Sequence, residues 1–147
     1  MNDATQIRSA LAGARTIAVV GCSPNPDRPS NAIARYLREQ GYRVIPVNPG
    51  HRQILGETCY PSLSEIPTDV KIDIVDVFRR SDLVAPVAEQ AITRGAGFFF
   101  MQQGVIDPDS ARRLEAAGIP VAMDRCILVE HATRGFAGRN FDGPGER

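Results

Sequence analysis

The sequence predicts a doubly wound α/β domain, Rossmann-like in its alternation, with a mainly parallel sheet of five strands and helices on both faces. Three observations carry that prediction. Short apolar runs rich in β-branched or aromatic residues recur along the chain. The stretches between them have helical periodicity, with residues that start and stop helices. Strand and helix alternate throughout, which implies right-handed βαβ crossovers. At 147 residues, 43% hydrophobic and 23% charged, the chain is long enough for one core and too short for two full domains.

Taken in order, Ile7 and Leu11 mark a short amphipathic helix that Gly13 ends. The run TIAVV, Thr16 to Val20, reads as a strand buried on both faces and closed by Gly21. GCSPNPDRPS holds three prolines and must be a loop. Ser30 is expected to cap a helix from Asn31 to Gln40, with Ile33, Tyr36 and Leu37 on one face and Gly41 as a left-handed stop. RVIPV, Arg43 to Val47, is the second strand. Asn48-Pro49-Gly50 then opens a loop that runs through ILGETCYPSL to a helical turn near Ser64 and Glu65. DIVDVF, Asp73 to Phe78, is the third strand. After Arg79 and Arg80, Ser81 to Val84 introduce a helix reaching Arg94, with Pro86 in its first full turn, where proline is tolerated. GFFFM, Gly97 to Met101, is the fourth strand. Asp107-Pro108 start a helix that Gly118 ends, and IPVAM, Ile119 to Met123, is the fifth strand. The predicted domain covers residues 1–134. The tail GFAGRNFDGPGER, residues 135–147, is rich in glycine and expected to be flexible.

Composition narrows the function. With 17 basic against 17 acidic side chains, a protein built mainly to hold nucleic acid or an anionic membrane is disfavoured, since both need a net basic surface. No apolar run approaches the roughly 20 residues that span a bilayer, and MNDATQIRSALAGAR lacks the apolar block of a signal peptide, so a cytoplasmic location is expected. Cys22, Cys59 and Cys126 show no CxxC spacing, and His51 and His131 are the only histidines; a disulfide framework or metal site is not expected.

In an open α/β sheet, ligands bind beyond the carboxyl ends of the strands. Here those ends combine small and polar residues with Arg28, Arg79 and Arg80, a set suited to phosphate because guanidinium and helix-start amides both attract anions. The first loop lacks GxGxxG, and Asn48 stands where an NAD site would usually place an acid, which disfavours a conventional dinucleotide site. GxxxxGK[ST] and GxSxG are absent. Cys126 and His131 would sit about 140° apart on a helix, a poor nucleophile and base pair.

The stretch TIAVVGCSPNPDRPSNAIARYLREQGYRVIPVNPG, then ILGETCYPSL, DIVDVFRR, MQQG and MDRCILVEH, resembles the small single-domain CoA-binding proteins of bacteria and archaea. That family is similar in fold to the CoA-binding domain of the succinyl-CoA synthetase α subunit. The resemblance implies that Gly21, Cys22, Ser23, Arg28, Pro29 and Ser30 hold the phosphates of CoA. It implies that Val47, Asn48 and Pro49 border the adenosine, that Phe78, Arg79 and Arg80 close the nucleotide side, and that Gln102, Gln103 and Gly104 lie along the pantetheine arm. Phe100 stands where many relatives have tryptophan, and Gln103 where they have an apolar residue.

The expected function is therefore binding of coenzyme A or a short acyl-CoA without catalysis, as a sensor or carrier of this small-molecule ligand. One alternative is an enzyme acting on a CoA thioester, with Cys22 or Cys126 as nucleophile. Another is an NAD(P)- or nucleotide-responsive regulator with the same fold. Cys126, beside Arg125 and near a helix start, is also a candidate redox thiol able to form a mixed disulfide with CoA.

Overall fold

The computed structural model describes residues 1–136. Helix α1 (Ala4–Gly13) begins at Asp3, whose carboxylate accepts the Gln6 N–H. It leads into β1 (Thr16–Val20), buried at every position, then α2 (Pro29–Glu39) and β2 (Arg43–Val47). A small antiparallel hairpin follows, β3 (Gln53–Ile54) and β4 (Glu57–Thr58), and then a 3₁₀ turn (Leu63–Glu65). Next come β5 (Ile74–Val77), a second 3₁₀ turn (Ser81–Leu83) and α3 (Val84–Arg94), which Gly95 ends in the left-handed conformation. The remainder is β6 (Phe98–Met101), α4 (Pro108–Ala116), β7 (Val121–Met123) and α5 (Ile127–Thr133).

The five main strands form one parallel sheet in the order β2-β1-β5-β6-β7, a doubly wound Rossmann-like α/β fold. Because side chains alternate along a strand, each strand supplies both cores. Ile17, Val19, Ile74, Phe98 and Phe100 face α1, α2 and α5, where they meet Ile7, Leu11, Ile33, Leu37 and Ile127. Ala18, Val20, Val75, Val77, Phe99 and Met101 face α3 and α4, where they meet Val84, Ala88, Ala91 and Leu114. The uninterrupted apolar run FFF is thus a strand covered on both sides. Helices α2 and α3 leave the neighbouring strands β1 and β5 toward opposite faces, so a crevice opens above the carboxyl ends of those two strands.

Both sheet edges are covered. At β7 the Asn2 side chain accepts the Met123 N–H at 2.7 Å and donates to the Met123 carbonyl at 3.2 Å, while the Asn2 N–H donates to Val121. At β2, Tyr60 pairs alongside, its N–H donating to the Pro46 carbonyl and its carbonyl accepting the Asn48 N–H. Pro46 is tolerated within β2 because that strand is at the edge of the sheet.

Several expected boundaries move. Helix α2 starts at Pro29 with Arg28 in the capping position, not at Asn31 with Ser30 as cap. Pro29 has the φ of a first helical residue, and the Ser30 hydroxyl is already engaged by the Ser23 N–H at 2.9 Å. The third, fourth and fifth strands are each shorter than expected, beginning at Ile74, Phe98 and Val121. The β3–β4 hairpin was not foreseen. Its turn places Leu55 at φ 58° beside Gly56 at φ 73°, and an apolar β-turn residue in that region carries no sequence signal. Arg38 supports it by bonding the Leu55 carbonyl and pairing with Glu57. Apart from Gly135 and Phe136, the expected tail lies outside the described residues. The Phe136 ring rests 5.3 Å from that of His131, with the Arg8 guanidinium 5.5 Å from its centroid.

Candidate ligand site

A cavity of about 790 Å³ lies at the carboxyl edge of the sheet, lined by the loops after β1, β5 and β6, the start of α2, and Cys126. Its first wall is the proline-rich loop, held by its own short polar residues. The Ser23 hydroxyl accepts the Asn25 N–H, the Asn25 carbonyl group of the side chain accepts the Asp27 N–H, and Asn31 donates to the Ser23 carbonyl. Arg35 bonds both Asn31 and the Pro26 carbonyl. These bonds engage the Asn25 and Asp27 amides, and the Ser23 and Arg28 amides are likewise engaged within the loop and α2 start. In the first turn of α2, Pro29 has no N–H and the Asn31 and Ala32 amides turn back to Arg28, which leaves the Ser30 N–H at the cavity without an acceptor among the described residues.

Gly21 sets the floor. Its φ is +83°, its N–H donates to the Val47 carbonyl at 2.8 Å, and an added Cβ would lie 2.0 Å from the Phe78 carbonyl oxygen. Glycine is therefore required where the β1 and β5 loops cross. On the far wall the Gly104 N–H donates to the Asp124 carboxylate at 2.7 Å, tying the β6 and β7 loops together. Gln102, 4% exposed, lines the same wall and accepts the Ile127 N–H through Oε1 at 2.9 Å, which caps α5.

The three arginines are not equivalent. Arg80 is exposed and forms a bidentate pair with Asp82, through Nε at 3.1 Å and a terminal nitrogen at 2.7 Å. That hydrogen bond holds the Asp82 carboxyl below its usual range. Arg28 and Arg79 also line the cavity, and among the described residues neither has an acidic partner; the Arg79 Nε is buried with no acceptor. Arg79 is shared with a second cavity of about 200 Å³ on the α3 side, lined also by Val20, Val47, Ser62 and Leu83. Two unneutralised guanidiniums on one concave surface favour an anionic ligand.

Of the other residues singled out in the sequence, Ser23, Pro29, Ser30, Phe78, Gln103 and Gly104 line the larger cavity and Val47 the smaller one. Cys22, Asn48 and Pro49 line neither. The Cys22 side chain is fully buried, and desolvation, with Cys59 and Asp76 nearby, pushes its thiol up to about 12. Burial and the raised thiol weigh against Cys22 as a nucleophile. Asn48 ties loops together, donating to the Cys22 carbonyl and accepting the Gly50 N–H. Arg125, expected beside the Cys126 thiol, is paired with Glu130 at 3.4 Å. His131 is buried with Nδ1 2.8 Å from the Tyr36 hydroxyl, so it joins α5 to α2 and does not face Cys126 as a base. Sequence reasoning missed the Asn31 and Arg35 supports and the buried carboxyl of Asp76, whose two oxygens have no partner among the described residues.

Residues 15–132 match the family described as the CoA binding domain. The chain belongs to that family. Within it, the chain is 42% identical over 127 residues to the uncharacterized protein YneT of Bacillus subtilis, covering 86% of this chain and 93% of that one. A hypothetical protein from Pyrococcus horikoshii, known by structure, is 37% identical with a TM-score of 0.84, covering 89% of this chain and 91% of the other. A shorter stretch of 63 residues is 41% identical to an ADP-forming acetate–CoA ligase of Archaeoglobus fulgidus, spanning 43% of this chain and only 9% of the ligase. The chain is thus similar along most of its length to a small protein and over a shorter stretch to part of a much larger ligase. Among the described residues no helix is long and apolar enough to cross a membrane.

Proposed function

We propose that this protein binds coenzyme A, or a short acyl-CoA, without turning it over, as a sensor or carrier. The observation that carries the reading is the placement of Arg28 and Arg79, both without acidic partners among the described residues, on one cavity at the carboxyl edge of the sheet. CoA presents a diphosphate and a 3′-phosphate to be neutralised, and a guanidinium can grip two phosphate oxygens at once. In this reading the start of α2 and Arg28 take the diphosphate. The adenosine end reaches the smaller cavity beside Val47 across Arg79, and the pantetheine arm runs along Gln102, Gln103 and Gly104. Family membership over residues 15–132 supports the same ligand.

The test is a thermal-shift panel. CoA at 100 times its dissociation constant should stabilise the fold by about 2.7 kcal/mol, with dephospho-CoA, ATP and NAD giving less at equal concentration. Equal shifts from NAD and CoA would overturn the assignment in favour of a general nucleotide regulator.

A second reading concerns chemistry at the thiol end. Cys126 lines the cavity, whereas Cys22 and Cys59 are buried. In the presence of CoA disulfide, a Cys126 thiolate attacks one sulfur of the disulfide, forms a Cys126–CoA mixed disulfide and releases one CoA thiolate. Intact-mass analysis should show one CoA adduct that dithiothreitol removes and Cys126→Ser lacks. An adduct mapped to Cys22 or Cys59 would exclude this route, and release of free CoA from acetyl-CoA would point to thioester turnover.

A further inference from the structure

We infer that the carboxyl of Asp76 is a proton-linked regulator of the ligand site: an anionic ligand and a proton bind together, and ionisation of Asp76 releases the ligand. The inference rests on the CoA reading above and concerns the regulation of the same site. The register of the sheet places the group. Asp76 lies level with Val19 of β1 and Phe100 of β6. Two residues further along the same three segments stand Gly21, Phe78 and Gln102, which all line the larger cavity. Side chains two apart share a face, and two strand residues rise about 7 Å. The carboxyl therefore sits one layer beneath the cavity floor. It is on the side covered by α2, whose Ile33 packs into this core and also lines the cavity.

Asp76 is fully buried, and neither carboxyl oxygen has a partner among the described residues. Its charge is thus governed by burial and by the field of the site above it. Burial holds the acid well above the usual carboxylate range. The guanidiniums of Arg28 and Arg79 at the cavity pull the other way and favour the carboxylate. Bound phosphates cancel those two charges and add negative charge, which the buried layer between screens little. On ligand binding the carboxylate therefore takes one proton from solvent and becomes the neutral acid. By reciprocity the neutral acid favours the ligand, so affinity falls as pH rises through the pKa of the unliganded protein. The other titratable groups on this side are Cys22 and Cys59 in the loops, Tyr36 of α2, Tyr42 before β2 and His131 of α5. Burial pushes the thiols and hydroxyls up and His131 down to about 4, so these stay uncharged from about pH 6 to 8.5. Helix α1 buries Ile7 and Leu11 here and keeps Arg8 over Phe136, while on α5 Glu130 and Arg134 pair with each other. Asp73, just before β5, is bound to the Arg15 and Thr16 amides at the opposite edge of the sheet.

Isothermal titration with CoA in two buffers of different ionisation enthalpy, from about pH 6 to 8.5, counts the protons taken up on binding. Dephospho-CoA repeats the count without the 3′-phosphate, which itself titrates near about pH 6. Asp76→Asn fixes a neutral group of the same shape, and Asp76→Val gives the same comparison if a buried amide prevents folding. Across this range the parent should lose about tenfold more affinity for both ligands than the variants do. It should also take up as much as about one proton per ligand that the variants do not. Parallel pH profiles with equal proton counts in parent and variants would overturn the inference while leaving the CoA reading intact. So would a parent whose affinity rises with pH relative to the variants. A parent protein that holds neither ligand at any pH overturns both.

Discussion

At the scale of single residues, the site distinguishes three arginines that look alike in the sequence. Arg28 and Arg79 line the cavity without acidic partners among the described residues, whereas Arg80 already spends its fork on Asp82. Replacing Arg28 or Arg79 with alanine should therefore weaken CoA binding by about 1.5 to 3 kcal/mol, ten- to a hundredfold. Arg80→Ala should change it by less than about threefold, because that pair sits in water and is screened. The melting temperature of the unliganded Arg28→Ala protein should stay near that of the parent. Isothermal titration with CoA across the three variants checks the order; equal effects would place the phosphates at the exposed end of the loop. The sequence motif FRR cannot separate Arg79 from Arg80, since the distinction depends on which side chain turns into the crevice and which meets Asp82.

At the scale of elements, the crossing of the β1 and β5 loops depends on the absence of a side chain at Gly21. Gly21→Ala should lower stability by about 2 kcal/mol or more, since it combines a positive φ with a clash against the Phe78 carbonyl. Gly104 has a similar φ of +90° but nothing within 4 Å of an added Cβ, so Gly104→Ala should cost about half as much. Urea unfolding of both variants reads the difference. Much at this scale is legible in the sequence. Five β-branched or aromatic runs, Pro86 entering α3, and Gly95 and Gly118 beyond the helix ends are local chemistry, and local chemistry survives in a linear text. What escapes is contact between distant segments. The Gln102 cap on α5 spans 25 positions and the Tyr36–His131 bond spans 95, and no periodicity announces either. The hairpin around Leu55 escapes for a different reason, because its turn residue contradicts the usual preference.

At the scale of the whole molecule, one buried carboxyl shapes the dependence of stability on pH. Asp76 lies in β5 between Val19 and Phe100 of the adjoining strands, fully buried and without a partner among the described residues. Burial raises its pKa well above the usual carboxylate value, so the folded protein favours the neutral acid. The unfolded chain ionises it above about pH 4. The contribution of Asp76 to stability is thus greatest below that pH and declines as pH rises toward its folded pKa. Asp76→Val should therefore raise the melting temperature at pH 8, with a gain of about 1 to 3 kcal/mol that shrinks toward pH 4. His131 works in the other direction. Burial lowers its pKa to about 4, so its contribution is present above about pH 6.5 and is lost as pH falls toward 4. Melting curves from pH 4 to 8 on the parent and on Asp76→Val separate the two effects. The Asn2 clamp on β7 bears on a different property, colloidal behaviour. An uncovered parallel edge offers unpaired N–H and C=O groups on which another chain can build. Because the Asn2 amide occupies both polar groups of Met123, a single side chain keeps that edge from templating intermolecular sheet growth, and trimming or fusing the polypeptide at this point turns a covered margin into an adhesive one.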